Sequence, residues 1–249
     1  MSINNLIGLA FLFFFILMLV AVYFLLEKRK GSILREIPAF YYLQRAIGLS
    51  VEDGKRIHLA LGWGNLFEEP FSSGLIGLNI LERLTRVALF SDKPPMATSG
   101  NGGLMLLSQD TIRHSYRSFG LAVPHQIYES QMIGVTPFSY AIATQPIIKD
   151  EKVSVDILLG HFNSELGLIL DASERQNNLS IGGSENLTAQ AIFYGISNFP
   201  LIGEEVYATG AYMGSNRMHK ASIQVQDYFR WGIILFILMG IVLKVLGIL

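Results

Sequence analysis

The pattern of hydrophobic and polar positions begins with a long apolar segment at residues 6–26. This segment is about 21 residues long and uncharged, which lets a helix cross a hydrocarbon core of roughly 30 Å. A second apolar segment covers residues 231–249 and is interrupted only by Lys244. Residues 1–5 carry no basic side chain, so the first segment is interpreted as a permanent anchor rather than a cleaved signal. The pattern therefore predicts a transmembrane helix at each end.

Charged and aromatic residues beside these segments predict the orientation in the membrane. Lys28, Arg29 and Lys30 follow the first segment, and Arg230 and Trp231 lead into the second. Basic residues favour the cytoplasmic side of a membrane, and tryptophan favours its interface. The predicted topology places the central part of the chain in the cytoplasm and both termini outside.

Three glycines of the second apolar segment lie on one helical face. Gly232, Gly240 and Gly247 are spaced eight and seven residues apart. Small residues let another helix approach closely. This face is therefore a candidate for helix pairing.

The central region repeats a short apolar run, a glycine-containing turn and a helical pattern. Strands alternating with helices favour parallel pairing through right-handed crossovers. We therefore predict an α/β fold with a small open parallel sheet of about four strands and flanking helices. The predicted strands cover residues 56–61, 95–98, 153–159 and 179–181.

These patterns divide the chain into five predicted parts. The central domain lies between a juxtamembrane segment, which is basic and amphipathic, and a connector, and each of these adjoins a transmembrane helix. In chain order the parts are residues 6–26, 27–53, 54–213, 214–230 and 231–249.

Three less regular stretches have more than one interpretation. Residues 38–48 predict a short helix that lies along the headgroups or packs in the core, with Gly48 at its end. Residues 133–148 are uncharged and predict a kinked helix from Pro137, with a re-entrant segment as the alternative. Residues 196–213 are similarly apolar. Such surfaces are typical of contacts with a membrane or a partner subunit.

Composition narrows the classes of function. The net charge is −1 and only 16% of residues are charged, which argues against nucleic-acid binding. The chain contains no cysteine, so it has no disulfide, no thiolate metal site and no cysteine nucleophile. No cluster of histidines and carboxylates has metal-binding spacing, and no cofactor is expected.

The turns that follow the predicted strands form the candidate ligand site. They lie at the carboxyl ends of parallel strands, where open α/β sheets bind their ligands. Backbone N–H groups and helix N-termini there favour a small anionic or nucleotide-like ligand. Neither GxGxxG nor GxxxxGK[ST] is present. The candidate residues are Gly62, Gly64, Ser99, Gly100, Asn101, Gly102, Gly103, His161, Asn163, Gly182 and Ser184.

The histidines can be interpreted as catalytic residues or as structural residues of the core. Ser99, Asp156 and His161 could form a hydrolytic triad, but Asp156 and His161 are expected on opposite faces of one strand, and no GxSxG motif is present. His58 is expected to be a hydrogen-bonded core histidine. Ser164 and Ser184 are expected to cap helices whose first turns contain Glu165 and Glu185.

Several sequence segments resemble an uncharacterised family of prokaryotic two-span membrane proteins of unknown function. The resemblance is carried by GKRIHLALGWGN, ATSGNGG, LLGHFNSELGLILDA and SIGGSENLTAQA. It implies an inner-membrane setting and supplies no catalytic or binding residue.

Two anchors and no complete catalytic constellation favour a non-enzymatic role. The leading hypothesis is a scaffold or accessory subunit that oligomerises at the cytoplasmic face of the prokaryotic inner membrane. The alternative is a membrane-tethered module that binds an anionic or nucleotide-like ligand, and a hydrolase is a further one. The expected partners are the lipid bilayer, further copies of the chain and other membrane subunits.

Overall fold

The computed structural model describes residues 3–28, 34–64, 72–89, 91, 93–123, 129–213 and 217–246. Within these ranges the chain forms two compact units, one made of the first and last helices and the other of all elements between them. The elements, in chain order, are α1 (Ile3–Lys28), α2 (Pro38–Glu52), β1 (Arg56–Gly62), α3 (Ser72–Val87), β2 (Met96–Ser99), α4 (Gly102–Ser118), β3 (Ser130–Met132), α5 (Pro137–Asp150), β4 (Val153–His161), α6 (Leu166–Arg175), β5 (Leu179–Gly183), α7 (Leu187–Ile196), β6 (Phe199–Pro200), α8 (Glu205–Met213) and α9 (Arg217–Val245).

The strands of the central unit form one parallel sheet in the order β3-β2-β1-β4-β5-β6. The α/β class and the parallel pairing are confirmed, but the predicted count of about four strands is wrong, because the sheet has six. The two missed strands are the edge strands β3 and β6, with three and two residues. β3 is mostly polar, and β6 is too short to show a strand pattern within its apolar stretch. Pro200 suits an edge strand because it lacks an N–H donor.

Helices cover both faces of this sheet, which explains why its central strands β1 and β4 are buried along almost their whole length. Helices α2, α3, α4 and α8 pack on one face against side chains such as Leu59, Ile157 and Leu159. Helices α5, α6 and α7 pack on the other face, around Ala60 and Leu158. Successive strand residues thus belong to two different cores, as the alternation of side chains along a strand requires.

Two of the less regular stretches form helices that each pack one face in the core. Helix α2 buries Phe40, Leu43 and Ile47 against the sheet, and it continues past Gly48 to Glu52, so the predicted end at Gly48 is wrong. Helix α5 starts at Pro137 as predicted, with Thr136 as its N-cap. Its side chains Tyr140, Ala141, Thr144 and Ile148 are buried in the domain.

The unit made of α1 and α9 is an antiparallel helix pair. Val22, near the end of α1, packs with Ala221 and Val225, near the start of α9. The ring of Phe229 then contacts Phe11, Phe14 and Phe15, with centroid distances of 5.3, 5.9 and 5.7 Å. Both helices are long and apolar enough to cross a membrane.

Helix α9 includes most of the predicted connector, since it begins at Arg217. Gly232 and Gly240 continue the face that carries Ala221, Val225 and Phe229. Within the part of the chain that the structure describes, no atom beyond the adjacent residues and the local helix backbone lies within 4 Å of a Cβ added at either glycine. Arg29, Lys30, Gly247 and the side chain of Lys28 lie outside the described residues.

Candidate functional site

A polar cluster at the carboxyl ends of the strands lies where β1 and β4 are neighbours. The chain leaves β1 towards one edge of the sheet and leaves β4 towards the other. In open α/β sheets this change of direction opens a crevice in which ligands bind. Trp63 follows β1 and His161 ends β4, and their rings meet edge to face at 5.0 Å.

Trp63 is held by a buried carboxylate. Its indole Nε1 donates a hydrogen bond to Oε1 of Glu165 at 3.0 Å, and the same oxygen accepts from the backbone N–H of Asn163 at 2.9 Å. Glu165 is only 1% exposed. Both donors fix one carboxylate oxygen, so the orientation of Glu165 is set by the turn that follows β4.

A second carboxylate holds His161. The Nδ1–H of His161 donates to Oε1 of Glu185 at 2.5 Å. Burial is the largest single influence on the pKa of Glu185 and raises it. The hydrogen bond from His161 acts in the opposite direction with Ser73 and the backbone N–H of Glu185, and together they outweigh burial and hold this pKa below its ordinary value. The ring of His161 is thereby fixed between Glu185 and Trp63.

Three buried polar atoms near this crevice have no hydrogen-bond partner among the described residues. They are Oε2 of Glu165, Oε2 of Glu185 and Oγ of Ser73. A buried carboxylate oxygen without a hydrogen-bond partner destabilises the folded state by several kcal/mol. This is on the order of the free energy lost when a hydrogen bond to a charged group is removed. The cluster therefore presents acceptors that are suited to a ligand with N–H or O–H groups.

In the glycine-rich turn after β2, the N-cap residue of α4 binds backbone N–H groups of the turn. Asn101 accepts through Oδ1 from the backbone N–H groups of Gly103 and Leu104, at 2.8 and 3.3 Å. Ser99 donates to the carbonyl oxygen of Asn101. The N–H groups that the sequence suggested for an anion are thus partly used within the protein.

Close packing accounts for several of the predicted glycines. A Cβ on Gly62 or Gly182 would lie 2.2 Å from a backbone oxygen, that of His161 or Leu158 respectively. A Cβ on Gly100 would lie 2.7 Å from Cβ of Trp63, whereas Gly102 has only an ordinary contact at 3.7 Å. Gly64 is buried. These glycines let backbones approach each other at the strand ends.

Asn163 and Ser184 connect the turns after β4 and β5. Oδ1 of Asn163 accepts from Nδ2 of Asn186, and Oγ of Ser184 accepts from the backbone N–H of Phe162. The predicted caps are wrong: α7 is capped by Asn186 instead of Ser184, and the side chain of Ser164 does not cap α6, whose N-cap is Glu165 without a side-chain bond. The predicted residues at these two turns are therefore brought together with Glu165 and Glu185.

The hydrolytic triad is not assembled. Asp156 accepts from Nδ1 of His58 at 2.7 Å, whereas His161 bonds Glu185 and Ser99 bonds the backbone. The expectation of a hydrogen-bonded core histidine at His58 is confirmed. Among the described residues, no group of three or more His, Asp and Glu side chains could hold a metal ion.

Sequence reasoning missed Trp63, Ser73, Glu165 and Glu185 as site residues. The two glutamates had been explained by the helix dipole, which favours acids in a first helical turn. A usable signal was present: both acids follow the ends of neighbouring strands, four residues after His161 and two after Gly183. Parallel strands bring such positions to one edge of the sheet.

Comparison with known proteins gives a family without an assigned activity. The chain belongs to the family described as a domain of unknown function (DUF6754), which matches residues 2–249. This confirms the prediction that the chain belongs to an uncharacterised family. No curated protein and no solved structure matches the chain.

Proposed function

We propose that this chain is a membrane-anchored α/β module that binds a small ligand at the crevice between β1 and β4. The observation that carries the proposal is the buried Oε2 of Glu165, which has no partner among the described residues. A strand order with a change of direction at this crevice supports the same location. The terminal helices would hold the binding domain at the membrane.

The ligand would be recognised through hydrogen-bond donors. The free acceptors belong to Glu165 and Glu185, and the imidazole of His161 already donates its Nδ1–H to Glu185. A carboxylate repels a phosphate and attracts an ammonium group or vicinal hydroxyls. An amine or polyhydroxyl compound is therefore favoured, and a nucleotide-like ligand would enter with its sugar hydroxyls.

A thermal-shift experiment on the full-length chain in mild detergent tests this proposal. Spermidine, ribose and inorganic phosphate serve as probes. We expect spermidine or ribose to raise the Tm by several degrees near saturation, and phosphate to leave it unchanged, because a ligand that binds only the folded state stabilises that state.

Two glutamates of the α6 region give a matched pair of variants. Glu165→Gln should abolish the shift, whereas Glu174→Gln on the exposed side of α6 should retain it. Equal shifts in both variants, or no shift with either donor compound, would refute the proposed site. A shift with phosphate alone would support the anionic ligand that the glycine turns suggested.

A scaffold role is a second candidate, supported by exposed apolar side chains on the outer helices of the domain. Val135, Phe138 and Ile142 are 76%, 56% and 59% exposed at and beside the start of α5, and Leu187 and Tyr194 are 80% and 78% exposed on α7. Such patches are typical of protein contacts. Size measurement in mild detergent over a range of concentrations tests self-assembly, and a strictly monomeric particle throughout would contradict it.

The proposed setting is a prokaryotic inner membrane with the domain in the cytoplasm and both termini outside. It is supported by two helices of sufficient length and apolar character and by the basic cluster after the first. A reporter fused after Leu249 should be active outside the cytoplasm. Activity inside would reverse the orientation.

A further inference from the structure

The packing of α1 against α9 sets which residues lie at the same level. If the two apolar segments spanned one bilayer side by side, the end of the first at Leu26 would be level with the start of the second at Trp231. Instead, Phe229 is level with Phe11, Phe14 and Phe15. The helices are offset by about 13 residues, or roughly 20 Å at 1.5 Å per residue.

This offset brings a charged pair to the middle of the apolar helix. Arg230 follows Phe229 directly, and its Nη1 lies 3.5 Å from Oδ1 of Asp227. The uncharged segment of α1 is centred near Ile16, within about 3 Å of the level of Phe14 and Phe15. When α1 spans a bilayer, Asp227 and Arg230 therefore lie near its midplane.

The pair is on the side of α9 that α1 leaves uncovered. Val225 and Phe229 face α1, and Asp227 is two residues from each, so it points to the opposite side at 100° per residue. The side chains of Arg230 and Asp227 are 49% and 53% exposed. Charged side chains at this depth are costly in lipid, and in membrane proteins they face a protein interior or a water-filled cavity.

We infer that this side of α9 packs against α9 of a second copy of the chain, within the bilayer. The partner is argued from charge: one helix carries both an acid and a base one turn apart, so a two-fold related copy can place each Asp227 beside the other chain's Arg230. Four charges then neutralise one another away from lipid. The inference rests on the membrane anchoring and the assembly role proposed above, and it is independent of the ligand site.

The absence of cysteine makes this interface directly testable by single-cysteine cross-linking in native membranes. Ile234→Cys places a thiol one turn after Arg230 on the charged side. Leu17→Cys places one near the middle of the apolar segment of α1, on the side that faces away from α9. We expect copper-phenanthroline to link Ile234→Cys chains into dimers and to leave Leu17→Cys chains monomeric.

Charge reversal between two differently tagged chains separates contacts between chains from contacts within one helix. In the Ile234→Cys background, Asp227→Arg alone or Arg230→Asp alone should lower the dimer yield about tenfold, because like charges then face each other. Co-expression of the two variants should restore the mixed dimer to the original yield. Each variant keeps the same repulsion within its own helix, so restoration must arise between chains.

The inference would be overturned if Ile234→Cys gave no dimer, or if the dimer yields of all charge variants were equal. It would also be overturned if a membrane-impermeant maleimide labelled Leu17→Cys, because the middle of α1 would then lie outside the bilayer. Carbonate extraction of each variant shows whether it is inserted. Release of the unaltered chain by carbonate would overturn membrane anchoring together with the inference, whereas an inserted chain that fails to cross-link overturns the interface alone. The neutral pair Asp227→Asn and Arg230→Gln should insert and still form dimers in lower yield.

Discussion

The domain contains two histidine–carboxylate pairs that differ in what surrounds them. His58 and Asp156 are both fully buried and face each other across β1 and β4. His161 and Glu185 are 13% and 14% exposed and lie at the carboxyl ends of the strands. The first pair is part of a complete network, whereas the second retains an unpartnered carboxylate oxygen.

Donors and acceptors match at every step of the His58 network. Tyr140 donates to Thr98, Thr98 donates to Nε2 of His58, and the Nδ1–H of His58 donates to Asp156. Burial raises the pKa of Tyr140, which keeps its O–H available as a donor. The other oxygen of Asp156 accepts from Ser173 and Asn178. A network with every group satisfied stabilises a core and has no bond left for a ligand.

The contrast teaches that a histidine beside a carboxylate is not by itself evidence of a site. What distinguishes the crevice is the unsatisfied acceptor and its place at the strand ends. Four substitutions test this difference between the two pairs, and the one expected to change stability most comes first.

Asp156→Ala should cause the largest loss, about 3 to 5 kcal/mol of unfolding free energy, because it leaves His58, Ser173 and Asn178 without their buried acceptor. Urea unfolding in mild detergent measures it. Asp171→Ala removes an exposed acid that pairs with Arg175, and it should cost less than about 1 kcal/mol. Similar losses in the two variants would refute the structural role of the network.

Glu129, just before β3, is another buried carboxylate. Burial raises its pKa to about 7, although Arg56 acts to lower it. The folded state then holds its proton more tightly than the unfolded state, so stability should fall as pH rises from about 4.5 to 7. Glu129→Gln should flatten this fall and give a higher Tm than the unaltered chain at pH 8. An unchanged pH profile would exclude Glu129 as its source.

Glu185 should show the opposite sign. Its pKa is lowered in the folded state, so its contribution is present above the unfolded value near 4.5 and is lost as pH falls through the folded value. Between pH 6 and pH 3 the free energy of unfolding should therefore fall less in Glu185→Gln than in the unaltered chain. His161→Ala should reduce the same acid-dependent loss, because it removes the hydrogen bond that lowers the pKa.

Glu165→Gln should have the smallest effect on stability, at most about 1 kcal/mol, because the amide oxygen of glutamine can still accept the hydrogen bond from Trp63. Residues kept for binding are often poorly optimised for stability. The same variant is expected to lose the ligand-induced shift. A loss as large as that of Asp156→Ala would place Glu165 among the structural residues instead.

The fold could be predicted as far as apolar patterning reaches. The four longer strands and most helices follow from buried runs and turn residues, and His58 could be assigned to the core because it lies within such a run. The edge strands could not be predicted, because β6 has two residues and is defined by its neighbour β5.

The site and the helix offset depend on contacts that are distant in sequence. Glu165 and Trp63 are 102 residues apart, and their hydrogen bond depends on the pairing of β1 with β4. The offset between α1 and α9 depends on where Phe229 inserts among the phenylalanines of α1, and hydropathy alone does not specify this. The lengths of the apolar segments show that both helices can span a membrane. The packing between the helices determines which of their residues lie at the same depth in the bilayer.

The position of Trp63 also makes the molecule its own optical probe. The chain contains two tryptophans, Trp63 at the crevice and Trp231 in α9. In a Trp231→Phe chain all tryptophan fluorescence comes from Trp63. Its N–H is bonded to Glu165, and its ring lies edge to face with the ring of His161. Occupation of the crevice would change the polarity and quenching around that ring, so binding could be followed continuously without a label.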